Sequence, residues 1–386
     1  MLVLMMALLG GTALFLMGSG NSRGNGIEQN KEQARAMAAA KAALIAYSVN
    51  YVDHYGHNIR GGVGRLPCPS RTRHGSPGLS CSGNSIGYLP TVWNRSGKRI
   101  EIDYLERFLG RDFWYAVSSE HRYNPSFNQL NSTSTDQLLA VDAIDDIVAV
   151  LIAPGNPVNQ QDRATIPVSV VNYLEAENAD GDTVFSGHAG NDQVLPIRRS
   201  EIMPLIERRV LGYARDWLIE YKREFGFYPY AAMFGDESGD CQSGLLSGAL
   251  AMQQGACVEL AFGEFSSAVV PRSRLLNEIW FATSDWPSFI YYRVDEHCVG
   301  GAAPGLCDGV NDPPHALTVE GNPVEVLLVS AGAPIVTIPS GSMQERSNDP
   351  GALVHYLDSE SLLDGDSAYS FPRLSELSND QFLVIE

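Results

Sequence analysis

Two stretches decide the fold: IVAVLIAPGNPV at 147–158 and VEVLLVSAGAPI at 324–335. Each is a short run of Val, Ile, Leu and Ala that stops at a Gly/Pro-rich turn, the pattern of a strand buried on both faces. Working outward, the surroundings recur as well. Leu44-Ile45-Ala46-Tyr47 returns as Leu218-Ile219-Glu220-Tyr221, and Leu66-Pro67-Cys68 is echoed by Tyr228-Pro229-Tyr230. Downstream, Tyr173-Leu174 with Asp180-Gly181-Asp182 returns as Tyr356-Leu357 with Asp364-Gly365-Asp366. Asn191-Asp192-Gln193 returns as Asn379-Asp380-Gln381. Apart from the Leu66/Tyr228 echo at 162, the matches keep their order at offsets of 174, 177, 183, 184 and 188 residues. A period this long is not a solenoid, so the sequence reads as a tandem duplication of a whole domain.

Each copy opens with a helical stretch. In the second, Ile206, Val210, Ala214, Trp217, Tyr221 and Phe225 form one apolar stripe ended by Gly226. Residues 27–53 are rich in Ala, Glu and Lys, and they read as the corresponding helix. The later segments, DFWYAV at 112–117 and SFIYYRV at 288–294, read as strands. A helix laid on one face of a mainly antiparallel sheet satisfies both patterns.

The chain has 386 residues with 44% apolar and 19% charged, enough for a sizeable core and two domains. Its formal charge of −18 repels phosphate backbones, so nucleic acid is excluded as a natural partner. Residues 1–17, MLVLMMALLGGTALFLM, carry no charge. As a helix they would span ~25 Å, close to a bilayer's hydrocarbon core. Four glycines in residues 18–26, Gly18, Gly20, Gly24 and Gly26, predict a non-helical hinge behind that segment, with helix at about 1–17 and 27–53. The six cysteines fall into close pairs separated by 13, 16 and 9 residues. Of the 15 possible connectivities this spacing favours Cys68–Cys81, Cys241–Cys257 and Cys298–Cys307, a usage typical outside the cytoplasm.

The order of features resembles a family. AKAALIAY with RLPCP, then RDFWYAVS, VAVLIAPG, NYLEAEN and NDQVLPI, is similar to the type IV pilins and pseudopilins, in particular a large group related to the minor pilins. The likeness covers the first copy and, more weakly, the second. It implies an α+β fold: an N-terminal apolar helix plus two tandem pilin-like domains, each a helix on a mainly antiparallel sheet. The expected divisions are 1–26 for the apolar helix and hinge, 27–197 for the first domain and 198–386 for the second. It further implies a chain processed to begin at Met1, stored in the inner membrane and assembled into an extracellular filament at the cell surface with copies of itself or other pilins. The assembly helix would use Met1, Leu2, Met5, Leu8, Gly10, Gly11, Leu14 and Phe15, with the two glycines admitting close helix approach. Met5 stands where most pilins carry a glutamate, which points to a specialised subunit. The alternative is a low-copy tip or minor subunit acting as an adhesin or secretion-partner module; a remoter one is a secreted enzyme.

No hydrolase, zincin, Walker or dinucleotide-binding motif is present, so no catalytic residues and no enzyme are expected. His54 and His57 have metal-compatible spacing, although solvated loop histidines share it, and His297 lies beside Cys298. The acidic turns around Asp180, Asp182, Asp364 and Asp366, and Asp236-Glu237-Ser238-Gly239-Asp240, have the oxygen-rich composition that suits Ca²⁺. Asp capping of a turn explains the same composition. Calcium is therefore the one cofactor considered. Trp93, Trp114, Trp217, Trp280 and Trp286 are candidates for either core packing or an adhesive face.

Overall fold

The computed structural model describes residues 25–55, 63–73, 75–77, 81, 86–95, 98–101, 112–122, 138–158, 161–164, 169–188, 190–234, 239–257, 281, 286–300, 307, 316–332, 336–337, 342–343, 353, 356–357, 367–370 and 379–386. Helix α1 spans Asn25–Val49, stops at Asn50, and is followed by the short α2, Tyr51–Tyr55. Asn50 turns back on the helix, its backbone N–H and its Nδ2 both donating to the Ala46 carbonyl at 3.0 and 2.9 Å. Then come β1 (Ile86–Tyr88), a ribbon of β2 (Val92–Arg95) and β3 (Lys98–Glu101), β4 (Trp114–Val117), β5 (Leu139–Val141), β6 (Ile144–Ala153), β7 (Val184–Phe185) and β8 (Gln193–Arg198). The sheet runs β1-β4-β6-β5-β7, with β8 also on β6. Ile147 faces both Leu139 and Arg198, so β5 and β8 flank β6 on opposite sides.

Helix α3, Arg199–Phe225, follows β8 directly. Its first turn is tied down by Glu201, which accepts the Arg198 N–H at 2.8 Å and the Lys41 ammonium of α1 at 2.7 Å. Its end is closed by Gly226 at φ 81°, the left-handed conformation that glycine adopts without steric cost. After it lie β9 (Ala231–Ala232), β10 (Ser247–Leu250), β11 (Ile290–Val294), β12 (Thr318–Val319), β13 (Asn322–Pro323), β14 (Val326–Ser330), β15 (Val336–Thr337), β16 (Ser342–Met343), β17 (Ala368–Tyr369) and β18 (Gln381–Ile385). The second main sheet runs β18-β14-β11-β10-β9, and β13-β12-β17 forms a smaller one.

The two sheets share a pairing scheme. Ala153 faces Gln193 and Leu151 faces Leu195, while Ser330 faces Gln381 and Leu328 faces Leu383. Trp114 faces Ile152 as Tyr291 faces Val329. Asp142 and Glu320 take φ values of 55° and 52° in the turns after β5 and β12, and each donates its N–H across to β7 or β17 at 2.8 Å.

This architecture corrects the expected one of an apolar N-terminal helix followed by two tandem pilin-like domains. The body is sheet-rich, with a curled half-barrel sheet and few helices. Among the described residues no helix is long and apolar enough to cross a membrane. Both long helices carry charge along their length: Lys31, Glu32, Arg35 and Lys41 in α1, and Glu207, Arg208, Arg215 and Glu220 in α3. They are also not two separate helix-on-sheet layers. Met37, Ala40, Leu44 and Tyr47 of α1 share one buried cluster with Ile202, Ile206, Val210 and Trp217 of α3, and that cluster continues into β6, β11 and β14. The transmembrane and pilin-like helical features are therefore absent from the described residues. Residues 1–17, with the assembly positions Met1, Leu2, Met5, Leu8, Gly10, Gly11, Leu14 and Phe15, lie outside them. So do Gly18, Gly20 and Gly24, whereas Gly26 falls within α1 rather than in a connecting hinge.

Candidate functional site

All six cysteines are joined locally as Cys68–Cys81, Cys241–Cys257 and Cys298–Cys307, with Cα separations of 5.2, 5.7 and 5.0 Å.

The acidic turn of the first half is an exposed corner. Carboxylate oxygens of Glu177, Asp180 and Asp182 lie within 4.8 Å of one another. The chain reaches this corner through a 3₁₀ turn, Ala176–Ala179, and leaves it through Gly181 at φ 84°. Two of the carboxylates already cap backbone: Asp180 accepts the Asp182 N–H at 3.1 Å and Asp182 accepts the Val184 N–H at 2.7 Å. Such a corner has the donor type for a hard cation and equally the geometry of a self-sufficient turn. Asp364, Asp366 and residues 236–238 lie outside the described residues, as do His57 and the side chain of His54.

The repeated Asn-Asp-Gln motifs are held from within. Asp192 is buried and accepts from the Glu175 N–H at 2.9 Å and from Asn178 Nδ2 at 3.3 Å. Burial pushes its carboxyl above the usual range, against the pull of those donors. Asp380 is buried as well and accepts the Gly332 N–H at 3.1 Å. Beside each, a glycine lies so close to the preceding asparagine that no side chain fits. A Cβ on Gly155 would stand 2.0 Å from Asn191 Oδ1, and one on Gly332 would stand 1.7 Å from Asn379 Oδ1.

Two clusters of buried charge were not singled out in the sequence. Lys222 of α3 meets Glu325 at 2.5 Å, and Glu325 accepts the Tyr228 hydroxyl at 2.7 Å. Burial, then the adjoining carboxylate, pushes the Tyr228 phenol well above its ordinary value. In the first half, Arg65 donates to the Glu120 carbonyl at 2.6 Å, and Arg199 lies 3.7 Å from the Glu120 carboxylate. His121 Nδ1 is 3.1 Å from Ser118 Oγ. Burial, with Arg199 and Arg65 nearby, lowers the His121 pKa well below its ordinary value and keeps the ring neutral. Ser118, Glu120, His121, Arg65 and Arg199 are all shielded from solvent. They are scattered from 65 to 199, and only the short Ser118-to-His121 spacing gives a local signal.

Of the tryptophans, Trp114, Trp217 and Trp286 are buried in the core, which removes them from any adhesive face. The side chains of Trp93 and Trp280 lie outside the described residues. No family model, curated protein or solved structure matches the chain.

Proposed function

We propose that this chain is a non-catalytic structural subunit of an extracellular assembly, a filament at the cell surface, built from copies of itself or related subunits. The observation that carries the proposal is the closure of all six cysteines into three local disulfides, the usage of a protein that matures outside the reducing cytoplasm. Two further features support it. The buried charges are spent on backbone and on one another rather than gathered in an accessible cleft, and an uncharged apolar stretch at 1–17 precedes the folded body.

The test is to shear and purify surface filaments from cells that make the chain and quantify it by mass spectrometry. Many copies per filament is the expected result. Presence in the cells with absence from the filament fraction would overturn the proposal. A single copy per filament would favour instead a binding subunit, the reading to which the exposed Glu177/Asp180/Asp182 corner lends support.

A further inference from the structure

The two halves contain the same backbone junction, fastened in two different ways. In the first, the Leu66 N–H donates to the His121 carbonyl at 2.7 Å, and Leu66 bridges Arg122 in parallel fashion. In the second, the Tyr228 N–H donates to the Cys298 carbonyl at 2.7 Å, and Tyr228 bridges Val299 in the same way. The turn leading in is also matched: the Ser118 N–H donates to the Val148 carbonyl at 2.9 Å, and the Asp295 N–H to the Glu325 carbonyl at 2.8 Å. Position 121 of the first junction therefore corresponds to position 298 of the second. At 298 stands a cysteine bonded to Cys307; at 121 stands a fully buried histidine.

Two cations act on that histidine, Arg199 and Arg65, and further charged groups lie close to them. Arg65, on the incoming segment, donates to the carbonyls on either side of it, at 2.6 Å to Glu120 and 3.4 Å to Arg122. Glu120 and Arg122 flank it on its own turn. Arg199, the first residue of α3, is 3.7 Å from the Glu120 carboxylate. Asp146, at the start of β6, lies in the field of Arg199. Among the described residues His121 Nε2 is buried with no hydrogen-bond partner. A proton added there would create a third cation beside Arg65 and Arg199 with no acceptor waiting for it.

We propose that this junction is an acid-sensitive latch: protonation of His121 releases residues 63–70 and the start of α3 from the first sheet, while the disulfide-closed junction of the second half stays shut. The sign follows from linkage. A histidine whose folded-state pKa is depressed leaves stability intact above the unfolded value of about 6.5 and takes it away as pH falls below that value. Asp146 works the other way, because burial raises its carboxyl and protonating it relieves that burial. Acidification would thus soften one half of the subunit and spare the other.

The test is amide hydrogen exchange on the full, oxidised chain at pH 7.5 and 5.5, read by mass spectrometry and corrected for intrinsic rates. Protection in peptides covering 63–70 and 118–122 is expected to fall by up to about tenfold for each pH unit below about 6.5. Peptides covering 228–231 and 295–300 should keep theirs. In His121→Gln, which cannot gain the proton, the first junction should lose its pH response. Equal loss at both junctions, no loss at the first, or an undiminished response in His121→Gln would each overturn the proposal. Should His121→Gln fail to fold, the comparison of the two junctions in the unaltered protein decides alone. The copy number of the chain in filaments has no bearing on this result, so the latch and the proposed function fail separately.

Discussion

At the scale of single residues, the molecule is most exacting where a strand turns beside an Asn-Asp pair. Gly155 and Gly332 are required by proximity, since an added Cβ would also lie 2.6 Å from the Asn191 carbonyl oxygen and 2.8 Å from that of Asn379. Backbone cannot swing aside as a side chain can. Gly155→Ala and Gly332→Ala should each destabilise by about 1–3 kcal/mol, the range for overpacking a tight site, and urea midpoints would measure it. Neither change should be tolerated better than a Gly→Ala at the open Gly212, where a Cβ meets nothing within 4 Å. The adjoining aspartates make the complementary case. Asp192→Ala strands the Glu175 N–H and leaves Asn178 Nδ2 only the Ser186 carbonyl, and an unsatisfied buried donor costs about 1–3 kcal/mol. These positions are visible in the sequence as recurring Asn-Asp-Gln and Ala-Pro-Gly or Ala-Gly-Ala motifs. Their purpose is not, because a recurrent acidic residue reads equally as a ligand, a cap or a solvated surface until its neighbours are known.

At the scale of elements, α3 is where the parts of the molecule meet. Its stripe of Ile206, Val210, Ala214, Trp217 and Tyr221 is legible from spacing alone, and all five are buried. Trp217 lies at the centre, with Phe281 4.9 Å away edge-on and Tyr213 stacked at 6.1 Å. Trp217→Ala should cost about 3–5 kcal/mol, the range for a large core aromatic, and a thermal melt together with near-ultraviolet dichroism would record it. What spacing cannot say is what covers a stripe. On one side α3 meets α1 through Glu201 and Lys41, and α2 through Arg209 and Tyr213 with Asp53, contacts that close 156 to 160 residues of chain. Periodicity is a local signal and such closures are not, which is why the sequence reading placed each helix only on its own sheet. Residues 1–17 lie outside the described residues; their composition meets a membrane's requirement for length and polarity, but composition does not select an architecture for the chain behind them. The His121 cluster was harder still to foresee, because Arg65 and Arg199 are brought to it only by the folded chain.

At the scale of the whole molecule, covalent and noncovalent ties divide the work differently. The disulfides are local, so removing one should loosen a loop rather than separate the halves. Replacing Cys68 and Cys81 by Ala opens a loop of 13 residues, and chain-entropy reasoning gives about 3 kcal/mol of lost stability. Non-reducing digestion should recover the three pairs as separate linked peptides, none joining residue 68 to the 241–307 region. The halves themselves are held by a shared apolar core, in which Met37, Ala40, Leu44 and Tyr47 lie in the same cluster as Ile202, Met203, Ile206 and Val210. Produced alone, residues 198–386 would expose the part of α3 that faces α1, and residues 25–197 would lose the cover that α3 gives α1. Two surfaces of this kind favour re-association over independent life. Co-expressed halves are expected to co-purify as one complex, whereas each produced singly should aggregate or melt several degrees below the full chain. The readout is affinity capture of one half through a tag on the other, followed by thermal denaturation of what is recovered. Two halves that stay monomeric, soluble and as heat-resistant as the intact protein would show that the apolar contact between α1 and α3 contributes little, and that the molecule is two bodies on one chain.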